Sequence, residues 1–233
     1  MIQTNPRCST CRVRNYSVLS NCSNDILEAL SDNKKYRHFQ KGERLLIEGQ
    51  RGGGIYFIRS GIAKVEVNGK SGRPLILRLA GAGSIFGYRM FGSKNEQPVS
   101  VEAVEDLYVC HTTLAFYDQL VKRSPVLHKE MMQLLLNEIR QVELHAVRLT
   151  HLSVKERVAG ALLEIAKLYH YQPGSNGIRV HLERQDLADL SGTTKEQVSR
   201  MLAGLQRAGF IKLSGKHFKF LDLNSLQSIT AFH

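Results

Sequence analysis

From residue 36 to about residue 110, apolar positions come in short bursts broken by glycine. Arg44-Leu45-Leu46-Ile47, Ile55-Tyr56-Phe57-Ile58, Ile62-Ala63-Lys64-Val65-Glu66-Val67 and Leu75-Ile76-Leu77-Arg78-Leu79 all have strand length, with glycines between them. Bursts of this kind separated by turn residues predict an antiparallel sandwich or barrel. The intervals are too short for the crossover helices that a parallel sheet needs.

After Ser124-Pro125 the period changes. Met132, Leu135, Ile139, Val142, Ala146 and Leu149 step alternately by three and four, with no charge in the seam. That is an a/d heptad stripe on a long helix, and it predicts pairing with a second copy in a homodimer. Pro125 suits the first helical turn, where its missing N–H costs nothing, and Ser124 suits the cap.

Beyond residue 154 the spacing predicts an amphipathic helix over 156–169 and an exposed loop over 172–177. Two further helices, 184–190 and 195–208, flank Ser191-Gly192-Thr193-Thr194, and strands over 210–213 and 217–221 flank Ser214-Gly215. This order is a helix-turn-helix followed by a β wing. The fold class is therefore α+β, with an N-terminal antiparallel β domain, a long dimerisation helix and a C-terminal winged helix-turn-helix. The expected divisions are a cysteine-bearing segment at 1–23, the β domain at 24–120, the dimerisation helix at 121–150 and the DNA-binding domain at 151–233.

Composition sharpens this outline. The 233 residues are 42% apolar and 23% charged, which suits a globular protein. Lys and Arg number 32 against 21 Asp and Glu, a net charge of +11. Such an excess calls for a polyanionic partner, nucleic acid or a membrane surface. No apolar run approaches the length of a spanning helix, and the first residues lack the apolar centre of a signal peptide. The expectation is a cytoplasmic protein with reduced thiols and no membrane partner, in which four cysteines do not form a disulfide framework. Three of them, Cys8, Cys11 and Cys22, fall in the first tenth of the chain.

On the second helix of the motif, Val198, Leu202 and Leu205 share one face. Glu196, Ser199 and Arg200 share another, near the helix N-terminus. The N-terminal part of this helix is the part that enters the DNA major groove. Arg200 can pair bidentately with guanine, and Glu196 can accept from a cytosine amino group. Lys195 can reach a base or a phosphate. Thr193-x-x-Glu196 also spells a capping box, which would give Glu196 a purely local role. Lys212, Lys216 and Lys219 in the wing are available for phosphates.

With those residues in place, the chain resembles the CRP/FNR family of bacterial transcription regulators over roughly residues 20–225. The sensor half carries Lys41-Gly42-Glu43, Glu48-Gly49, Ile58-Arg59-Ser60-Gly61 and Gly83-Ser84-Ile85-Phe86-Gly87, and the reader carries Glu196-Gln197-Val198-Ser199-Arg200. The resemblance implies a β-roll sensor of the cyclic-nucleotide-binding type, a dimer helix and a winged helix. It also implies an RNA polymerase partner, touched through exposed loops such as 172–177. Glu-x-x-Ser-Arg is similar to the FNR branch, which reads a TTGAT-like half-site. The CRP branch has Glu-x-x-Gly-Arg preceded by Arg, and Lys195 occupies that preceding position here.

The same resemblance frames the signal. Where the cyclic-nucleotide branch has a ribose-binding Glu and a phosphate-binding Arg, this chain has Ser84 and then Gln97-Pro98-Val99-Ser100-Val101 without an Arg. That argues against cAMP. The FNR branch holds a [4Fe-4S] cluster on three N-terminal cysteines and one late in the β-roll, which places Cys8, Cys11, Cys22 and Cys110 as candidate ligands. Ten residues separate Cys11 from Cys22, where the family pattern has five. The alternatives are zinc, a thiol–disulfide switch, an unidentified small ligand, or a constitutively active regulator with Cys110 as ordinary core. A cupin-type metalloenzyme would need His-x-His with further ligands. His38 and His111 have no partner at such spacing, and no nucleophile motif or P-loop is present, so the expectation is a protein that is not an enzyme.

Overall fold

The computed structural model describes residues 6–69, 72, 74–92, 96–215 and 217–230. The chain divides into two compact units, Met1–Val67 with Ala80–Gln141, and Asn68–Leu79 with Val142–His233.

The first unit opens with two 3₁₀ turns, Cys8–Thr10 and Arg12–Tyr16, and helix α1 (Asn24–Asp32). The strands that follow along the chain are β1 (Lys35–Phe39), β2 (Arg44–Leu46), β3 (Gly54–Ser60), β4 (Ala63–Asn68), β5 (Pro74–Ala80), which falls almost wholly in the second unit, β6 (Ile85–Phe86), β7 (Ser100–Ala103) and β8 (Leu107–Thr113). Within the first unit, one sheet has the order β1-β8-β3-β6 and a second has β2, β7 and β4 side by side. The recorded pairings are antiparallel, with Phe57 opposite Cys110 and Val65 opposite Val101. Gly54 is required on β3, because a Cβ there would stand 2.3 Å from the Thr112 carbonyl oxygen.

Thr113 caps helix α2 (Leu114–Arg123) by accepting from the Phe116 N–H at 3.2 Å. Helix α3 (Pro125–His151) starts where the Ser124-Pro125 pair predicts. The Ser124 hydroxyl accepts from the Leu127 N–H at 3.1 Å. The buried core of this unit joins Cys8, Leu27, Leu30, Phe57, Cys110 and Tyr117 to Leu127 and Met131 on α3.

In the second unit, helix α4 (Val154–Leu168) begins two residues before the periodicity suggests. Ser153 and Glu156 close a reciprocal capping box there, at 2.7 and 3.3 Å, so the helix takes in Val154 and Lys155. Strand β9 (Ile178–Arg179), helices α5 (Arg184–Ser191) and α6 (Lys195–Arg207), strands β10 (Ile211–Ser214) and β11 (His217–Phe220) and helix α7 (Leu223–Thr230) complete the chain. The wing is a three-stranded sheet in the order β10-β11-β9. The hairpin reading missed β9, whose two residues follow the Gln172–Gly177 loop and carry too short a pattern to register. Among the described residues, no helix is long and apolar enough to cross a membrane.

Candidate nucleic-acid interface and cysteine pocket

Helix α6 divides its residues as an amphipathic surface helix does. Val198, Leu202 and Leu205 are buried, while Lys195, Glu196, Ser199 and Arg200 are exposed. The cap is Thr194, whose hydroxyl accepts from the Gln197 N–H at 3.3 Å. Thr193 bonds to the Gln197 side chain. The helix therefore starts one residue later than the Thr193-x-x-Glu196 box requires, and that box does not form. Ser199 donates to the Lys195 carbonyl at 2.9 Å, a local bond that keeps its hydroxyl close to the helix surface.

The turn before α6 depends on Gly192 and on an arginine that sequence reasoning did not single out. Gly192 ends α5 in the left-handed region at φ +58, and a Cβ there would stand 2.4 Å from Leu149 Cδ2. Arg157 on α4 gathers four carbonyls. Its Nε donates to Ser191 O at 2.8 Å, Nη1 to Leu152 O at 2.7 Å and Leu149 O at 3.3 Å, and Nη2 to Gly192 O at 3.3 Å. Helix C-termini leave their last carbonyls without intrahelical partners, and one guanidinium here serves the ends of both α3 and α5. The recoverable signal was an Arg one residue after the Ser153–Glu156 cap.

In the wing, Lys212 is exposed and lies opposite Lys219 in register. Lys216 lies outside the described residues. Gln206 on α6 accepts from the Leu213 N–H at 3.0 Å, tying the wing to the reader helix. Arg179 on β9 is exposed and pairs in register with His217, which adds a cation to the wing that the hairpin reading lacked. Burial of the Arg184 guanidinium, which lies 5.5 Å from the Phe218 ring, lowers its pKa.

Along α3, Met132, Leu135, Ile139, Val142 and Ala146 are exposed, whereas Leu149 is half-buried against Gly192. Leu136, also exposed, widens the stripe beside Leu135.

The four cysteines are free thiols, and among the described residues no three of His, Cys, Asp or Glu converge closely enough to hold a metal ion. Cys8, Cys11 and Cys110 line one cavity of about 40 Å³, together with Lys34, Arg59 and Gly83. Cys22 does not line it. Its sulfur lies 3.8 Å from the Val18 carbonyl, and burial, then the Glu130 charge, raise its pKa to about 11. Burial likewise raises that of Cys110. Cys8 already accepts from the Lys34 ammonium at 3.1 Å. Burial opposes the Lys34 charge, but the bond to Cys8 and the neighbouring sulfurs outweigh it and hold its pKa above the usual lysine value. A four-iron cluster needs four converging thiolates, and this arrangement does not fit one.

The cavity is also far below the several hundred Å³ of a nucleotide-sized site. Gly83 is covered by the N-terminal segment, since a Cβ there would stand 2.8 Å from Tyr16 O. Ser100 is buried and accepts from the Glu48 N–H at 3.0 Å, an ordinary role within the sheet.

An antiparallel β domain, a long helix with an exposed apolar stripe, and a winged helix whose second helix exposes Lys195 and Arg200 define the class of a DNA-binding regulator. The comparisons agree. Residues 156–229 match the Crp-like helix-turn-helix domain and residues 36–124 the cyclic nucleotide-binding domain. The chain belongs to the CRP/FNR family of transcription regulators. It is 28% identical over 207 residues to the "Anaerobic regulatory protein" of Haemophilus influenzae, covering 88% of this chain and 79% of that one. It is 28% identical over 233 residues to the "Nitrogen fixation regulation protein FixK" of Bradyrhizobium diazoefficiens, covering 99% and 97%. The solved structure of FixK2 from Bradyrhizobium japonicum shares the fold, with a TM-score of 0.76 at 22% identity over 86% of this chain and 98% of that one. These relatives are regulators, so the cupin enzyme reading is set aside.

Proposed function

We propose that the chain acts as a homodimer that reads a pseudo-palindromic, TTGAT-like DNA site, one α6 helix per half-site, and is gated by a signal taken up at the β domain. The observation that carries this reading is the division of α6, with Val198, Leu202 and Leu205 buried and Lys195, Glu196, Ser199 and Arg200 exposed. Arg200 reads guanine O6 and N7, and Glu196, exposed near the start of α6, accepts from a cytosine amino group. Lys212 and Lys216 contact phosphates and set register. The stripe from Met132 to Ala146 forms the dimer seam, closed by Leu149 near the turn. RNA polymerase meets the dimer through exposed loops such as 172–177.

The cysteine arrangement favours a regulator that takes its signal without an iron–sulfur cluster. A cluster on Cys8, Cys11, Cys22 and Cys110 would require Cys22 to turn from the Val18 carbonyl towards the cavity and Lys34 to release Cys8. Protein prepared without oxygen and assayed for iron and acid-labile sulfide distinguishes the two. Colourless protein that binds its operator supports this reading, and stoichiometric iron and sulfide restore the cluster.

Base reading is tested by selecting bound sequences from a random duplex pool with the native chain and with Arg200→Ala. The variant should lose about 1–3 kcal/mol of discrimination per half-site at the guanine it reads. An unchanged consensus would place the reading face elsewhere.

A further inference from the structure

The pocket around Cys8 holds chemistry that DNA binding does not use. We propose that Cys8 is a peroxide-reactive thiol, positioned by Lys34 and resolved by Cys11 into a disulfide.

Three observations carry this. The first is the hydrogen bond from the buried Lys34 Nζ to Cys8 Sγ at 3.1 Å. Lys34 also donates to Pro6 O at 2.9 Å, as does the Tyr36 hydroxyl, so the ammonium is aimed rather than loose. That bond holds the Cys8 sulfur in place at the cavity that both residues line.

The second is the size and lining of the cavity. About 40 Å³ is room for about three water-sized molecules, enough for hydrogen peroxide and too little for an organic metabolite. Cys8 is buried, so a reagent reaches it through this space.

The third is the turn geometry. Cys8–Thr10 is a 3₁₀ turn, and the Cys11 N–H donates to the Cys8 carbonyl at 3.3 Å. Side chains three apart in such a turn eclipse, and a rise of about 2 Å per residue puts their Cα atoms about 6 Å apart. That lies within the span a disulfide bridges. Cys110 is the poorer resolver because it is held in β8 between Tyr36 and Phe57.

The Cys8 sulfur attacks one peroxide oxygen and the O–O bond breaks. Cys8 becomes a sulfenic acid, and the departing oxygen leaves as water with the thiol proton. The Cys11 sulfur then attacks the Cys8 sulfur and displaces the hydroxyl, which leaves as a second water with the Cys11 proton. Two thiols and one peroxide give one disulfide and two waters, and the two sulfurs together lose the two electrons that the peroxide gains.

The test uses the full reduced chain, treated with hydrogen peroxide and quenched by alkylation. The peptide spanning residues 8–12 should lose two hydrogens and take up no alkylating reagent, while Cys22 and Cys110 stay reduced. Lys34→Met should slow the loss by about tenfold. Should that variant misfold, Cys11→Ser supplies an independent check, because Cys8 then accumulates as a sulfenic acid that dimedone traps. A bridge from Cys8 to Cys110, or a Cys8 that oxidises no faster than Cys22, overturns the proposal. No DNA enters the assay, so its failure leaves the DNA-reading proposal untouched.

Discussion

Replacing Arg157 should loosen the reader helix without touching its exposed face. The guanidinium donates to four carbonyls, two at 2.7 and 2.8 Å and two at 3.3 Å. A hydrogen bond from a charged donor is worth about 1.5–3 kcal/mol net, and bonds sharing one donor group are not additive. Counting the two short bonds at the lower end gives about 3 kcal/mol for Arg157→Met. For a unit of about 100 residues, each kcal/mol moves Tm by about 4–8 °C, so its melting should fall by roughly 12–24 °C. Arg157→Lys keeps the charge but cannot fork to both helix ends, so it should recover only part of the loss. Calorimetry on the full chain measures both variants. If both melt within about 2 °C of the native protein, Arg157 does not hold the turn to the end of α3.

Other consequences can be checked singly. Ile139 is 56% exposed on α3. Burying that half of the side chain at a seam is worth about 1 kcal/mol per helix, so Ile139→Glu should raise the dimer Kd by roughly thirtyfold or more in sedimentation, and an unchanged Kd would exclude the stripe as the seam. Lys212→Ala should weaken binding to all duplexes alike and reduce the salt slope by about 1 per subunit; a preserved slope would remove it from the phosphate contacts. Cys22 has its pKa raised to about 11 by burial and the Glu130 charge. The folded state keeps that proton longer than the unfolded chain does, so its contribution to stability is present below pH 9 and lost as pH rises towards 11. Alkylation at pH 8 should therefore label Cys11 well before Cys22, and equal labelling would contradict the buried placement.

The winged helix was legible because its signals are local. Val198, Leu202 and Leu205 have helical spacing, Gly192 marks a left-handed residue, and Ser124-Pro125 marks a helix start. The cap at Thr194 rather than Thr193 was not legible, since both threonines precede a residue able to close a box and only the start of α6 at Lys195 decides between them. Strand β9 escaped because two residues carry no period and gain their place by pairing with β11. Arg157 escaped because its acceptors are backbone carbonyls up to 35 positions away in the chain, and carbonyls have no sequence signature. The resemblance to the FNR branch suggested a shared ligand set on the four cysteines, which match it in count and order. Whether four sulfurs converge depends instead on which face of its segment each occupies, and Cys22 is turned into the core beside Val18.

In the proposed complex two copies of α6 read two half-sites. Hydroxyl-radical footprinting on a selected high-affinity duplex, at a protein concentration where sedimentation shows the dimer, tests it most directly. Two protected half-sites about one helical turn apart, centred on a pseudo-dyad, are expected, both lost together with Ile139→Glu. A single protected half-site bound by a monomer, or protection that follows no dyad, would contradict it.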